Sequence, residues 1–344
     1  MYCHDRSTGL KAIIAIHSTV LGPSLGGTRF YPYATEADGL EDVLRLAKGM
    51  TYKAAVAGLD QGGGKAVIIG NPATDRSEAL IRAYGRYVHS LGGRYITAED
   101  VGTTQADMDL IRRETPHVTG VSMELGGSGD PSVATAYGVW WAMKAVAVRL
   151  WGGAPTMADR KVVVSGVGKV GSALVGLLVE DGAAVAVADV VPAAVERVVT
   201  SYGVEAVDVD TAHAVPCDIF SPCALGGVLD AVRIPELRCA AVVGSANNQL
   251  AEPSCAKLLE EQGVVYAPDY VVNSGGIINI AEERSPRGYH QDRAYAEVQR
   301  IFETTGRVLA LAEAEGVTTA EAADRVAERR IADMARVNQI RTFG

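Results

Sequence analysis

The chain has 344 residues, of which 48% are hydrophobic, 21% charged and 6% aromatic, enough for two domains with a core each. Lys+Arg total 32 against 41 Asp+Glu, giving a formal charge of −9, and no basic run could track a phosphate backbone, which excludes nucleic acid as a partner. Five scattered cysteines (Cys3, Cys217, Cys223, Cys239 and Cys255) lack a C-x-x-C pair, uncharged stretches fall short of the about 18 residues of a membrane span, and no signal-like segment opens the chain. A disulfide scaffold, a zinc ribbon and a membrane protein are thereby excluded, and a cytoplasmic protein with reduced thiols is expected.

In chain order, the first third alternates short β-rich runs with helical patterns. Strands are predicted at 12–17, 66–69 and 94–97. The segment 36–50 places Leu40, Val43, Leu44, Ala47 and Met50 at helical spacing. Ser77 can cap a second helix that runs to Ser90 and stops at Gly92-Gly93. The turn-rich segment 126–132 (GGSGDPS) reads as a hinge before a long helical pattern, 133–150. Beyond it, apolar runs at 161–165, 184–188, 217–220, 239–243 and 263–266 alternate with helical segments, the rhythm of a doubly wound parallel sheet. The expected architecture is therefore α/β in two domains. One spans 1–132, with the helical stretch 319–335 and the rest of 319–344 packing back on it; the other, of Rossmann type, spans 133–318.

Within the second domain, Gly166, Gly168 and Gly171 form G-x-G-x-x-G between an apolar strand and a helix. The spacing serves a tight turn, a close backbone approach to a pyrophosphate, and helix–strand packing. Asp189, 18 residues after Gly171, ends the next strand, where a carboxylate would bind ribose hydroxyls and repel a 2′-phosphate. This points to NAD. An ordinary strand–helix turn with a surface aspartate is the alternative.

The chain holds 8 lysines against 24 arginines. Two lysines stand in Gly-rich, apolar company: Lys53, closing the first helical pattern, and Lys65, after Gly62-Gly63-Gly64. The three glycines leave backbone without side-chain cover. A desolvated Lys65 with a second cation nearby could have its pKa lowered and act as a base, with Lys53 supplying that charge and holding a carboxylate. Both lysines could instead snorkel from a surface turn. Asp100 ends a strand and serves either chemistry or the cap of a helix near Thr104. Gly26-Gly27 offer backbone N–H groups to an anion. The six histidines are isolated, without metal spacing, and no metal is expected.

Seven ordered motifs, GGTRF, LAKGMTYK, GGGKAVI, GRYITAEDVGTT, SPCALGG, GSANNQL and YAPDYVVNSGGIIN, together resemble the NAD-dependent glutamate/leucine/phenylalanine/valine dehydrogenases, most closely the valine and leucine members. The resemblance covers nearly the whole chain. It implies reversible oxidative deamination of an L-amino acid to a 2-oxo acid and ammonium, in a homo-oligomer, dimer or octamer. Lys65 would be the base that activates water, Lys53 with Gly26 and Gly27 would hold the substrate carboxylate, and Asp100 would exchange a proton with the amine. Thr135 and Asn247 would lie at the nicotinamide end, Asn247 also at the substrate. The remaining NAD contacts would come from Gly166, Val167, Gly168, Lys169, Val170 and Gly171, from Asp189 and Val190, and from Cys223, Ala224 and Ala246.

The resemblance also bears on the substrate side chain. Glutamate-specific relatives carry a lysine and a serine where Leu25 and Ile280 stand here, so a distal carboxylate would be buried unpaired. Leu25, Ala98, Ile277 and Ile280 would form an apolar wall. Leucine-specific relatives have valines in place of the two isoleucines, and the added methylenes favour valine first, then leucine or isoleucine. An aromatic amino-acid dehydrogenase and a non-catalytic NAD- or amino-acid-binding homologue are the alternatives. Relatives begin a few tens of residues earlier, so the start at Met1 is expected to fall inside their first strand, through an upstream true start or a shortened first domain.

Overall fold

The computed structural model describes residues 1–340. Its first elements are β1 (Tyr2–Asp5), β2 (Leu10–Ser18), β3 (Ser24–Tyr31), α1 (Glu36–Val56), β4 (Gly62–Ile69), α2 (Glu78–Ser90), β5 (Tyr95–Glu99) and α3 (Gln105–Arg112). There follow α4 (Ser132–Trp151), β6 (Lys161–Ser165), α5 (Lys169–Glu180), β7 (Ala184–Ala188), α6 (Pro192–Tyr202), β8 (Glu205–Ala206), β9 (Ile219–Pro222) and β10 (Ala241–Val242). The last are α7 (Cys255–Glu261), β11 (Val265–Tyr266), α8 (Asp269–Val272), α9 (Gly275–Glu282), α10 (Gln291–Gln299), α11 (Ile301–Glu315) and α12 (Thr319–Val337). No helix among the described residues is long and apolar enough to cross a membrane.

The chain divides into two compact units. The first comprises Met1–Pro131, Ile277–Ala294 and the described residues from Ala327 on; the second comprises Ser132–Gly276 and Tyr295–Val326. The sequence had assigned all of 133–318 to one domain. Ile277–Ala294 instead joins the first unit because Ile277 buries itself with Leu25, Ala54 and Ile96. The return from the C-terminus starts at Ala327 rather than 319. There Arg330 donates to the carbonyls of Leu59 (2.6 Å) and Gly58 (3.0 Å), satisfying acceptors beyond the end of α1, and pairs with Asp60 at 2.8 Å.

The first unit is built on a five-stranded sheet in the order β1-β2-β4-β3-β5. β3 is parallel to both β4 and β5, while β2 is antiparallel to β4. One face packs Phe30, Tyr95, Ala66 and Ile68 against Tyr84 of α2 and Met108 and Ile111 of α3. On the opposite face Val67 packs with Val43 and Ala47 of α1. Helix α1 runs to Val56, beyond the expected stop at Met50, so Lys53 lies in its last turn. β4 begins at Gly62, so the three glycines are strand residues and are buried. They are not open backbone: a Cβ at Gly63 would lie 2.1 Å from the Thr51 amide nitrogen, and one at Gly62 2.0 Å from the Ser18 carbonyl oxygen. Gly26 and Gly27 are likewise interior residues of β3, buried and in register with Thr97 and Ala98 of β5.

The second unit holds a six-stranded sheet in the order β11-β10-β9-β6-β7-β8, parallel at every pairing. The order reverses between β6 and β9, the switch point at which such sheets gather ligands. β9 and β10 start at Ile219 and Ala241, two residues later than their apolar runs. β8, two exposed residues at the sheet edge, has no apolar run to announce it.

Gly63→Ala is expected to destabilise the protein by about 1–3 kcal/mol, because backbone of α1 must move to admit a methyl group. Gly49→Ala, on exposed α1 with nothing within 4 Å of the added carbon, is expected to stabilise by about 0.5–1 kcal/mol. Thermal melts of both variants test the pair, and equal shifts would refute the close-packing role of Gly63.

Candidate active site

Three parallel strands of the first unit present one row of side chains after another on the α1 side of the sheet. Leu25 of β3 is in register with Gly63 of β4 and Ile96 of β5, and Gly27 with Ala98. Because alternate residues share a face, the next members are Lys65 on β4, Arg29 on β3 and Asp100 just past β5. The Lys65 Nζ lies 3.0 Å from Asp100 Oδ1, with its side chain only 7% exposed. Lys65 therefore does not snorkel to solvent. The cation that completes this cluster is Arg29, whose Nε is 3.1 Å from Asp100 Oδ2 and whose Nη1 is 2.9 Å from Asp42. Asp42 also accepts from the Tyr33 hydroxyl at 2.6 Å.

Asp100 does not cap a helix, since Thr104 does that for α3. Burial pushes its carboxyl up, but Lys65 and Arg29 together outweigh burial and hold it below the usual carboxylate range. Gly27 makes the approach possible: a Cβ there would lie 2.8 Å from the Asp100 Cβ. The β3–β4 register skips Gly26 and Gly27, and the Gly26 carbonyl accepts instead from the Tyr95 hydroxyl at 2.7 Å. Burial pushes that phenol up to about 12, so it donates as the neutral form. Lys53 is half-buried in the last turn of α1.

Beside the charged cluster lies an apolar one formed by Leu25, Ala54, Ile96 and Ile277, with Met50, Leu59 and Ile280 packed against it. Ala98, buried, is on the Ile96 face of β5, between Ile96 and Asp100. Leu25, Ala98, Ile277 and Ile280 are the apolar wall expected from the sequence; Met50, Ala54, Leu59 and Ile96 are not part of that expectation. The i, i+4 spacing of Met50 and Ala54 on a lengthened α1 was the available signal. Arg29 was likewise passed over, although it stands two residues beyond Gly27 and so on the same face of β3.

In the second unit the three glycines of the β6–α5 turn differ in what surrounds them. Gly166 has φ +105°, and a Cβ there would lie 2.6 Å from the Ala224 nitrogen. At Gly171 a Cβ would lie 1.9 Å from the Gly166 carbonyl oxygen, whereas at Gly168, the N-cap of α5, it would meet nothing within 4 Å. Val167 is buried between them, and Lys169 and Val170 open α5. The Asp189 carboxylate ties this turn to β7, accepting from the Val167 N–H at 2.7 Å and the Val191 N–H at 2.9 Å. A cleft of about 370 Å³ is lined by Gly166, Asp189, Val190, Ala224, Leu225 and Gly226.

Cys223 donates its N–H to the Ser165 carbonyl at 2.7 Å, and Ala246 to the Pro222 carbonyl at 3.0 Å. Asn247, exposed, accepts from Asn273 Nδ2 at 2.8 Å, and Thr135 lies half-buried in the first turn of α4. These residues fit a dinucleotide. The helix N-terminus is bare at Gly168, where the protein itself leaves room for the Cβ that the position lacks, and the carboxylate stands at the end of the second strand. Among the described residues no group of three or more His, Cys, Asp or Glu could hold a metal ion.

Two family descriptions match the chain. "Glu/Leu/Phe/Val dehydrogenase, dimerisation domain" covers residues 2–117, and "Glutamate/Leucine/Phenylalanine/Valine dehydrogenase" covers 126–197 and 192–338. The chain is 51% identical to a leucine dehydrogenase of Geobacillus stearothermophilus over 97% of its own length and 90% of that protein. It is 53% identical to a valine dehydrogenase of Streptomyces virginiae, covering 96% and 92%. Among solved structures, the L-tryptophan dehydrogenase of Nostoc punctiforme matches with a TM-score of 0.86 at 41% identity, covering 98% and 96% of the two chains.

Arg29→Gln removes one of the two cations that oppose burial at Asp100, so that carboxyl is expected to titrate at a higher pH than in the parent. A carboxyl with a depressed pKa contributes stability above its unfolded value and loses it as pH falls through the folded one. Asp42 loses the same cation and adds in the same sense. The gap in melting temperature between parent and variant should be widest near neutral pH and narrow on the acid side. A gap that does not change with pH would refute this account.

Proposed function

The chain belongs to the glutamate/leucine/phenylalanine/valine dehydrogenase family, and from that premise we propose that it catalyses the reversible oxidative deamination of a branched-chain L-amino acid, valine first and leucine or isoleucine next. The products are the 2-oxo acid and ammonium. The observation that carries the reading is the Lys65–Asp100 pair, set on one sheet face beside an apolar cluster of Leu25, Ala54, Ile96 and Ile277.

In this proposal Lys53 and the Gly26-Gly27 backbone hold the substrate carboxylate. Asp100, kept ionised by two cations, accepts a proton from the substrate ammonium. Lys65, having first given its ammonium proton to solvent, takes a proton as the neutral amine from the water that attacks the imine carbon, and its contact with Asp100 at 3.0 Å gives the proton a path between the two groups. Arginine could not serve at position 65, because it does not deprotonate in proteins. Leu25, Ala98, Ile277 and Ile280 exclude water from the side-chain end.

Members of this family use a nicotinamide dinucleotide, whose ring supplies the acceptor for the hydrogen leaving Cα. We assign NAD rather than NADP. Asp189 already has each oxygen bound to a backbone N–H, and it keeps further lone pairs for ribose hydroxyls while repelling a 2′-phosphate. The turn 166–171, Val190, Cys223, Ala224 and Ala246 would bind the rest of the dinucleotide, and Thr135 the carboxamide. A cytoplasmic homo-oligomer assembled through the first unit completes the proposal, supported by the dimerisation-domain description of residues 2–117.

The likeness to a tryptophan dehydrogenase favours an aromatic substrate as the second reading. With NADH and ammonium, 2-oxoisovalerate is expected to be reduced with a kcat/KM about tenfold or more above that of phenylpyruvate, as one or more methylenes of pocket volume discriminate. Preference for phenylpyruvate would establish the aromatic reading. Absence of turnover with any oxo acid, in a protein that binds NADH, would establish a non-catalytic homologue. NADPH in place of NADH should lower kcat/KM, and parity would remove the role given to Asp189.

Lys65→Ala is expected to lower kcat by roughly 10²–10⁴, the usual worth of a positioned acid–base group. NADH affinity, read by fluorescence titration, should be nearly unchanged, since no residue of the dinucleotide turn is altered. Retained turnover would displace Lys65 from the mechanism.

A further inference from the structure

Two of the five cysteines lie next to each other at the start of neighbouring parallel strands. β9 and β10 pair Ile219 with Ala241 and Phe220 with Val242. Just ahead of the strands the Cys217 N–H donates to the Arg238 carbonyl at 3.1 Å, and the Asp218 carbonyl accepts from both Ala240 (3.0 Å) and Ala241 (3.2 Å). The chain bends at Asp218 and at Cys239–Ala240, and the bond from Cys217 to Arg238 brings Cys217 beside Cys239 just ahead of the two strands. Both side chains pack at the edge of the same apolar cluster, and both are half-buried, with exposed Pro216 and Arg238 as their chain neighbours. Adjacent strands run about 4.8 Å apart, within the Cα–Cα range that a disulfide spans.

We propose that Cys217 and Cys239 form a reversible disulfide across the start of β9 and β10 when the protein meets a hydroperoxide. The thiolate of Cys239 attacks one peroxide oxygen, the O–O bond breaks, and the second oxygen leaves as hydroxide. The Cys239 sulfenic acid formed in this way is attacked by the sulfur of Cys217; the S–S bond forms and the S–O bond breaks, releasing a second hydroxide. The two thiol protons convert both hydroxides to water. Two thiols have lost two electrons and one hydrogen peroxide has become two waters.

The division of labour follows from the contact between the two sulfurs. The nearness of the two sulfurs lowers the pKa of Cys239 and raises that of Cys217. The other cysteines are differently placed: Cys3 and Cys255 are buried, and burial pushes Cys3 up to about 11. Cys223 is half-buried with its sulfur 3.4 Å from the Ser221 hydroxyl, and its backbone faces the dinucleotide turn rather than another cysteine. The bond would close a loop of about 20 residues between two core strands, restricting the unfolded chain. It lies at the opposite ends of β9 and β10 from residues 222–224 and 244–247.

The test treats the full chain with hydrogen peroxide, counts titratable thiols, and maps cross-linked peptides by mass spectrometry. Two of the five thiols should disappear, a Cys217–Cys239 peptide should appear, and dithiothreitol should reverse both. The melting temperature of the oxidised protein should rise by several degrees. Cys239→Ser should abolish the cross-link. Cys217→Ser should leave Cys239 as a sulfenic acid that a dimedone probe captures, and this second variant keeps the test decisive if the first does not fold. Five thiols still titratable after peroxide, a cross-link between other cysteines, or oxidation of Cys239 to a sulfinic acid in the parent protein would each overturn the proposal.

Discussion

The first unit is organised around one carboxylate held between two cations. Asp100 lies at the end of β5, Lys65 on β4 and Arg29 on β3, so three strands must keep their register for the three charges to meet. None of these groups is fully solvated, and a partly buried charge without its partner carries a heavy desolvation cost. The arrangement therefore couples the geometry of the sheet to the chemistry at its edge. A slip of one residue in β3 would send Arg29 to the opposite face, against Tyr84 and Tyr95, and leave Asp100 with a single counter-ion.

Close backbone approach makes that register possible. Gly63 lets α1 lie directly on β4 through Thr51, and Gly27 lets Asp100 close over β3. The second unit uses glycine in two ways at one turn. Gly166 and Gly171 are small because protein backbone occupies the space beside them, while at Gly168 the protein leaves the space open. Only the open position speaks for a ligand. The others speak for packing, and the same amino acid at spacings of two and three residues carries both meanings.

That ambiguity explains what could and could not be read in the sequence. The glycine turn between β6 and α5 was legible because strand, glycines and Asp189 form a local pattern within a single β-α-β unit. The triple glycine before Lys65 was misread as uncovered backbone, since a string of letters does not distinguish a glycine that receives a helix from one that receives a ligand. The Arg29–Asp100 pair spans 71 residues, and no periodicity connects its ends. For the same reason the place of Ile277–Ala294 in the first unit was hidden: its contacts with Leu25, Ala54 and Ile96 are fixed by tertiary packing alone. β8 escaped because an exposed two-residue edge strand needs no apolar residue.

The scarcity of lysine takes on its meaning at this cluster. Arg29 and Lys65 both neutralise Asp100, yet their surroundings differ. Arg29 spans two carboxylates, Asp100 and Asp42, with two nitrogens of one planar group, a task that suits a cation of fixed charge and forked geometry. Lys65 meets Asp100 through a single nitrogen on a side chain that is 7% exposed, in a row with Gly27 and Ala98. A protein that uses arginine three times as often as lysine places lysines, Lys65 and Lys144, at the two most enclosed cationic positions among its described residues, each residue as a whole 6% exposed.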